Sequence, residues 1–408
     1  MTGSAQDGEN GATERICLVL LWLAGVCMRL SILVVPPVIP MLHADLALSQ
    51  TQIGILSALP SLLLALAAIP GALFVARLGA PATVVAGMMI AGIASALRAL
   101  AGDASGLFAA TVVMGAGLSI MQPAMPQLAR SWLPARAGYA TAMYMSGLLC
   151  GQVIAVWATP ELVLPMVGGS WRQSLVVWAL PVLAIGAALW WLAPGLPGGR
   201  SGLGARALGE GLRRRWWPDW RSRLVWRLGL LTGSVNSLYF TMNFFLPDYL
   251  ASQGEADWVA TVLTVLNLGQ VPGSFLMLAV AGRWGRRPLA YIGSAALALT
   301  GILGTLLCHG LIRVAFAGLF GCATTVTFVL CFALPALLSE PDDVHRTSAA
   351  MFTLSYTCAV ITPVVGGLLW DMTGIPLMAF APVIIWPMVT WVMAMRVDLQ
   401  HRPAGAAA

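Results

Sequence analysis

The sequence predicts an all-α polytopic membrane protein with twelve transmembrane helices arranged as two six-helix repeats. Three observations predict it. The chain of 408 residues is 59% hydrophobic and only 9% charged, against about 25% charged in soluble domains. Its apolar residues gather into twelve stretches, each near the roughly 20 residues that cross a hydrocarbon core as a helix. Short basic and proline motifs in the first half return in the second half at a nearly constant spacing.

Residues 1–15 are polar and read as a disordered N-terminal tail. The first six-helix bundle, 16–193, holds spans at about 16–38, 51–72, 82–101, 106–127, 137–160 and 174–193. The first of these is too long for a signal-peptide core and lacks a small-residue cleavage site, so it is expected to be retained. A cytoplasmic linker follows at 194–223, with the run Arg213-Arg214-Arg215-Trp216-Trp217. Trp beside Arg is what a segment at the headgroup boundary carries. The second bundle, 224–396, holds spans at about 224–249, 258–281, 288–308, 312–338, 346–369 and 376–396, and 397–408 is a C-terminal tail.

The repeat rests on four matched pairs. Arg77-Leu78-Gly79 corresponds to Arg283-Trp284-Gly285, Pro40 to Pro247, Pro126 to Pro335 and Arg136 to Arg346. Parallel repeats with a substrate site at the bilayer midplane are a known transporter plan. Orientation follows from the basic residues, all 22 of which are Arg. With both termini in the cytoplasm, only Arg98, Arg172 and Arg313 fall at or near the opposite face, which satisfies the positive-inside bias. The net charge of +6 therefore reports topology and not nucleic-acid binding.

Arg29 stands near the middle of the first span, where a guanidinium costs about 2.5–3.5 kcal/mol on insertion scales. Such a side chain snorkels, pairs with a buried acid or lines a polar cavity. Of the sixteen acids, none is placed deep in a span, so no carboxylate is expected to neutralise Arg29. It is read as an anion anchor, its planar fork of donors matching a carboxylate or other oxyanion. Its counterpart in the second repeat falls near Asn236 and Ser237, both neutral. Arg98 and Arg313 are expected to snorkel toward headgroups.

Several segments resemble one group of transporters. Arg77-Leu78-Gly79 and Arg283-Trp284-Gly285 look like degenerate copies of the major facilitator loop motif, with Ala76 and Gly282 where that motif carries an acid. Met28-Arg29, Gln122-Pro123-Ala124-Met125-Pro126, Trp178-Ala179-Leu180-Pro181 and Pro272-Gly273-Ser274 are similar to the cyanate and 2-nitroimidazole transporter branch of that superfamily. Leu30 departs from it, the branch commonly having Pro after the Arg. The resemblance implies the major facilitator fold and alternating-access transport of a small polar or anionic solute.

The candidate substrate-binding residues are Arg29, Gln122 and Tyr144 in the first repeat, and Asn236, Tyr239, Asn267, Gln270 and Tyr356 in the second. Each is a polar group inside an apolar span, although such groups also bond neighbouring helices for packing alone. Arg77, Arg136, Arg283, Arg286, Arg287 and Arg346 are expected to clasp helix ends and control conformation. The seven Cys all lie in apolar spans without metal or redox spacing, so no cofactor or metal is expected. His43, His309, His345 and His401 lie in or beside loops, with no nucleophile and base set for an enzyme.

The function expected is transport of a small anionic or polar solute, cyanate-like or a small organic anion, across a cell inner membrane by a monomer. The alternatives are export of small neutral heteroaromatics such as nitroimidazoles, and a non-transporting membrane sensor. With no titratable group seen inside a span, uniport or exchange is expected, or proton coupling through the anion itself or through a residue near the face.

Overall fold

The computed structural model describes residues 3–66, 74–75, 77–133, 136–192, 219–284, 287–339 and 344–397. Most of the linker at 194–223, the C-terminal tail and Arg286 lie outside them. The described residues form helices and no strand. Ten of these helical segments are long and apolar enough to cross a membrane.

Two compact units divide the chain, and the division does not follow chain order. One is Met1–Val35 with Leu66–Arg214; the other is Pro36–Ala65 with Arg215–Ala408. The segment Pro36–Ala65, read from sequence as the end of span one and most of span two, thus groups with the second half of the chain.

In the first unit, α1 (Gly3–Leu33) begins inside the stretch expected to be a disordered tail. Once nucleated by its apolar part, a helix extends at one hydrogen bond per residue. The segment Pro36–Ala65 supplies α2 (Ile39–Leu46) and α3 (Gln50–Leu66) to the second unit. The first unit continues with α4 (Ala80–Leu97), α5 (Ala104–Trp132), α6 (Ala137–Ala158) and α7 (Trp171–Leu192). Asp103 caps α5, accepting from the Gly106 amide at 2.9 Å and the Ser105 hydroxyl at 2.7 Å. Those two donors hold its carboxyl below the usual carboxylate range. The seam between α1 and α6 is backbone against backbone: a Cβ on Gly147 would stand 2.2 Å from the Trp22 carbonyl oxygen, and one on Gly151 2.3 Å from that of Val26. Small residues four apart permit this approach, as in membrane helix pairs generally.

In the second unit, α8 (Arg223–Ser252) packs along α13 (Val344–Thr373). Between them in sequence run α9 (Val259–Leu268), α10 (Gln270–Trp284), α11 (Pro288–Leu307) and α12 (Gly310–Leu338). A 3-10 turn over Pro376–Ile384 leads into α14 (Ile385–Arg396). α9 and α10 are one span broken at Gly269. Broken membrane helices persist where neighbours satisfy the freed polar groups, and polar side chains stand on both sides of this break.

Candidate functional site

Arg29 sits on α1 between the buried Met28 and Leu30 and is itself only partly buried. Among the described residues it has neither an ion-pair nor a hydrogen-bond partner. In the same unit Tyr144 is buried on α6 and Gln122 is exposed on α5, beside Pro123.

The second unit gathers three of its five predicted residues, Tyr239, Asn267 and Gln270, into one network. The Tyr239 hydroxyl on α8 donates to Asn267 Oδ1 at 2.9 Å. Asn267, at the end of α9, donates to Asn243 Oδ1 at 2.9 Å and to the Leu263 carbonyl at 2.9 Å. Gln270 opens α10 and donates to Asn267 Oδ1 at 3.3 Å. A second contact joins α8 to α13, Asn236 Nδ2 donating to Ser355 Oγ at 2.7 Å. The Ser237 and Thr241 hydroxyls on α8 are buried without a hydrogen-bond partner. This set offers amides and hydroxyls, donor and acceptor both, and no charge. Tyr356 ends a run of rings: Phe328–Phe332 at 4.2 Å, Phe332–Phe352 at 4.9 Å and Phe352–Tyr356 at 6.3 Å between centroids.

Two expectations are corrected. Arg98 and Arg313 do not snorkel: they are 1% and 0% exposed. Arg98 donates to the Ser31 carbonyl at 3.0 Å and the Ser95 hydroxyl at 3.1 Å, and its Nε is buried without an acceptor. Arg313 donates to Glu255 and to the Cys308 carbonyl, while His309 meets the other Glu255 oxygen at 2.6 Å. Depth along a span predicts snorkelling, but neighbouring helices decide whether water reaches the head group.

The loop arginines are only partly described. Arg77 and Arg287 are exposed; Arg283 lies on α10 and Arg346 on α13. Arg136 pairs with Glu14 at 2.9 Å, tying the start of α6 to α1 beside a surface cavity of about 570 Å³.

Sequence reading missed one polar cluster. Asp248, one of the sixteen acids, is 7% exposed on α8. Gln50 Nε2 donates to its Oδ2 at 2.9 Å, and His43 Nδ1 lies 3.0 Å from the same oxygen. Nearby, Asp371 on α13 accepts from the Gln50 amide at 2.9 Å, the Thr51 amide at 2.7 Å and the Thr51 hydroxyl at 2.5 Å. The available signal was Asp248 itself, an acid between Leu246-Pro247 and Tyr249-Leu250.

The family model for the Major Facilitator Superfamily matches residues 21–263. The cyanate transport protein CynX of Escherichia coli K12 is 25% identical over 371 residues, covering 89% of this chain and 92% of that one. The 2-nitroimidazole transporter of the same organism is 25% identical over 384 residues, covering 91% and 93%. Among solved structures, a bacterial homologue of the human lysosomal transporter Spinster superposes with TM-score 0.77 at 16% identity, covering 97% of this chain and 99% of that one. The xylose transporter XylE of E. coli gives 0.73 at 13% identity, covering 96% and 98%.

Proposed function

The chain belongs to the Major Facilitator Superfamily, a multi-pass membrane transporter of small solutes, and from that premise we propose that its solute is a small anion or polar molecule. Cyanate or a small organic anion is the class intended, moved across an inner membrane by alternating access, with both termini cytoplasmic and a monomer as the working unit. Arg29 is the anion anchor. The observation that carries this reading is its state on α1: partly accessible, positively charged, and without a partner among the described residues. A guanidinium in a span is stable only when solvated or paired, and an entering anion supplies two of its five donors with acceptors at once. Asn236, Tyr239, Asn267 and Gln270 offer neutral hydrogen bonds to the polar remainder of a solute. Arg77, Arg136, Arg283, Arg286, Arg287 and Arg346 serve as conformational clasps, the Arg136–Glu14 pair being the example that supports this.

The test is uptake of labelled cyanate and small carboxylates into proteoliposomes. Arg29→Ala should abolish saturable uptake, and Arg29→Lys should retain charge but weaken affinity by losing the fork. Unchanged affinity and rate in Arg29→Ala would remove the anchor. A second reading, export of neutral heteroaromatics, is favoured by the ring run from Phe328 to Tyr356, which suits a flat solute. Uptake of 2-nitroimidazole that survives Arg29→Ala and fails in Phe352→Ala would select it.

A further inference from the structure

We propose that His43, Asp248 and Gln50 form a proton-binding site that latches the segment Pro36–Ala65 onto α8. The segment is held to the second unit by two polar clasps. In one, Asp371 reaches from α13 to the start of α3 and accepts two backbone N–H groups and the Thr51 hydroxyl. This is a helix N-cap supplied by a distant carboxylate. Its contribution is fixed wherever Asp371 is ionised.

The other clasp contains the titratable partner. Asp248 is 7% exposed and His43 42% exposed, so a buried carboxylate adjoins an imidazole that exchanges protons with the surroundings. A carboxylate out of water needs a charged or strongly donating partner. Gln50 donates to Asp248 at 2.9 Å and lies 3.1 Å from His43 Nδ1. Its own Oε1 is buried without a partner, so the amide is oriented by its NH2 group alone.

Protonation of His43 decides what these short distances mean. As imidazolium, Nδ1–H donates to Asp248 Oδ2 across 3.0 Å, a charge-assisted bond between opposite charges. As neutral imidazole it brings at most a neutral N–H. With Nδ1 bare, two acceptors face each other and only the Gln50 NH2 bridges them. The titratable groups facing His43 are Asp248 from α8 and, acting electrostatically, Asp371 from α13; Gln50 from α3 is neutral. Both acids favour the protonated ring. One proton therefore holds α2 and the start of α3 against α8, and its loss loosens them. The latch is closed at mildly acidic pH and weakens as the imidazole loses its proton, the ordinary histidine range being near 6.5.

Hydrogen–deuterium exchange of the full-length protein in nanodiscs tests this without any solute, so its outcome is independent of what the carrier moves. Rates for peptides covering Ile39–Ser57 are corrected for the intrinsic pH dependence of exchange and compared at pH 5.5 and 8.5. Protection should fall about tenfold at the higher pH, the equivalent of about 1.4 kcal/mol. In His43→Gln, which keeps an amide donor but cannot titrate, the two pH values should give equal protection. Asp248→Asn should also be flat, and His309→Gln should keep the full response. Equal protection in the parent protein, or an undiminished response in His43→Gln, would overturn the latch.

Discussion

Replacing Asn267 with Leu tests whether the amide network of the second unit holds α8 to the broken span α9–α10. Asn267 is 0% exposed and bonds across helices to the Tyr239 hydroxyl and to Asn243 Oδ1, both at 2.9 Å. Leu has nearly the same volume, so the change removes hydrogen bonds more than packing. Cross-helix bonds inside membranes average about 0.6 kcal/mol and reach about 1.7; two of them give about 1–3 kcal/mol. At about 2–4 °C per kcal/mol for a unit of this size, a cost near 2 kcal/mol lowers the melting temperature by about 4–8 °C. The assay is thermal unfolding of the purified protein in one detergent, completed as a double-mutant cycle with Asn243→Ala. The two substitutions share a bond, so together they should cost about 0.6–1.7 kcal/mol less than their sum. An Asn267→Leu protein melting with the parent, or a cycle additive within about 0.3 kcal/mol, would refute the reasoning.

Gly147→Leu forces a side chain into the Trp22 carbonyl 2.2 Å from where its Cβ must stand, and the α1–α6 seam should lose at least about 1–3 kcal/mol by overpacking. Gly293→Ala is the control: nothing lies within 4 Å of its added carbon, and its melting temperature should hold or rise. Glu255→Gln leaves the fully buried Arg313 without its carboxylate and should destabilise by about 3 kcal/mol, the lower end for a broken buried pair; melting curves measure it. Asp103→Ala should speed amide exchange in the first turn of α5 at pH 7. Because the folded-state pKa of Asp103 is depressed, the cap it provides is complete above the ordinary carboxylate range and is lost as pH falls through the depressed value. Parent and variant should therefore converge only in strong acid.

What the sequence made legible is what local pattern encodes. An apolar run of the right length specifies a membrane helix whatever its neighbours, and the amides of α8 to α10 stand out because they interrupt such runs. Asn236, Tyr239, Asn267 and Gln270 were visible for that reason. The latch was not, because Gln50 and Asp248 are 198 positions apart, His43 and Asp248 205, and Thr51 and Asp371 320. Periodicity carries no information at that range. The same limit explains the errors over Arg98 and Arg313, and why the burial of Asp248 went unseen. Each was assigned by position along its own helix, while burial was decided by neighbours from elsewhere in the chain. The grouping of Pro36–Ala65 with the second unit is a further case, since hydropathy marks where a helix begins and ends but not what it packs against.

The buried charges are handled differently in the two units. In the second, Arg313 has Glu255, and Asp248 has Gln50 and His43. In the first, Arg29 and Arg98 have no carboxylate partner among the described residues. Two uncompensated guanidiniums raise the electrostatic potential around them, and the proposed anionic solute would be drawn by it. The two are not equivalent. Arg98 is sealed at 1% exposure, its Nη2 spent on the Ser31 carbonyl and the Ser95 hydroxyl, so no exchangeable ligand reaches it without unpacking the unit. Arg29 is partly accessible. Substituting each with Met should separate the two roles. Arg98→Met replaces a buried, unneutralised charge with an apolar chain of similar length, a change that is often neutral or stabilising; melting temperature should hold or rise and anion affinity should change little. Arg29→Met should keep the fold and lose saturable anion uptake. If Arg98→Met abolished uptake while leaving the melting curve intact, the charge that selects the solute would be the sealed one, and the assignment of Arg29 as anchor would be wrong.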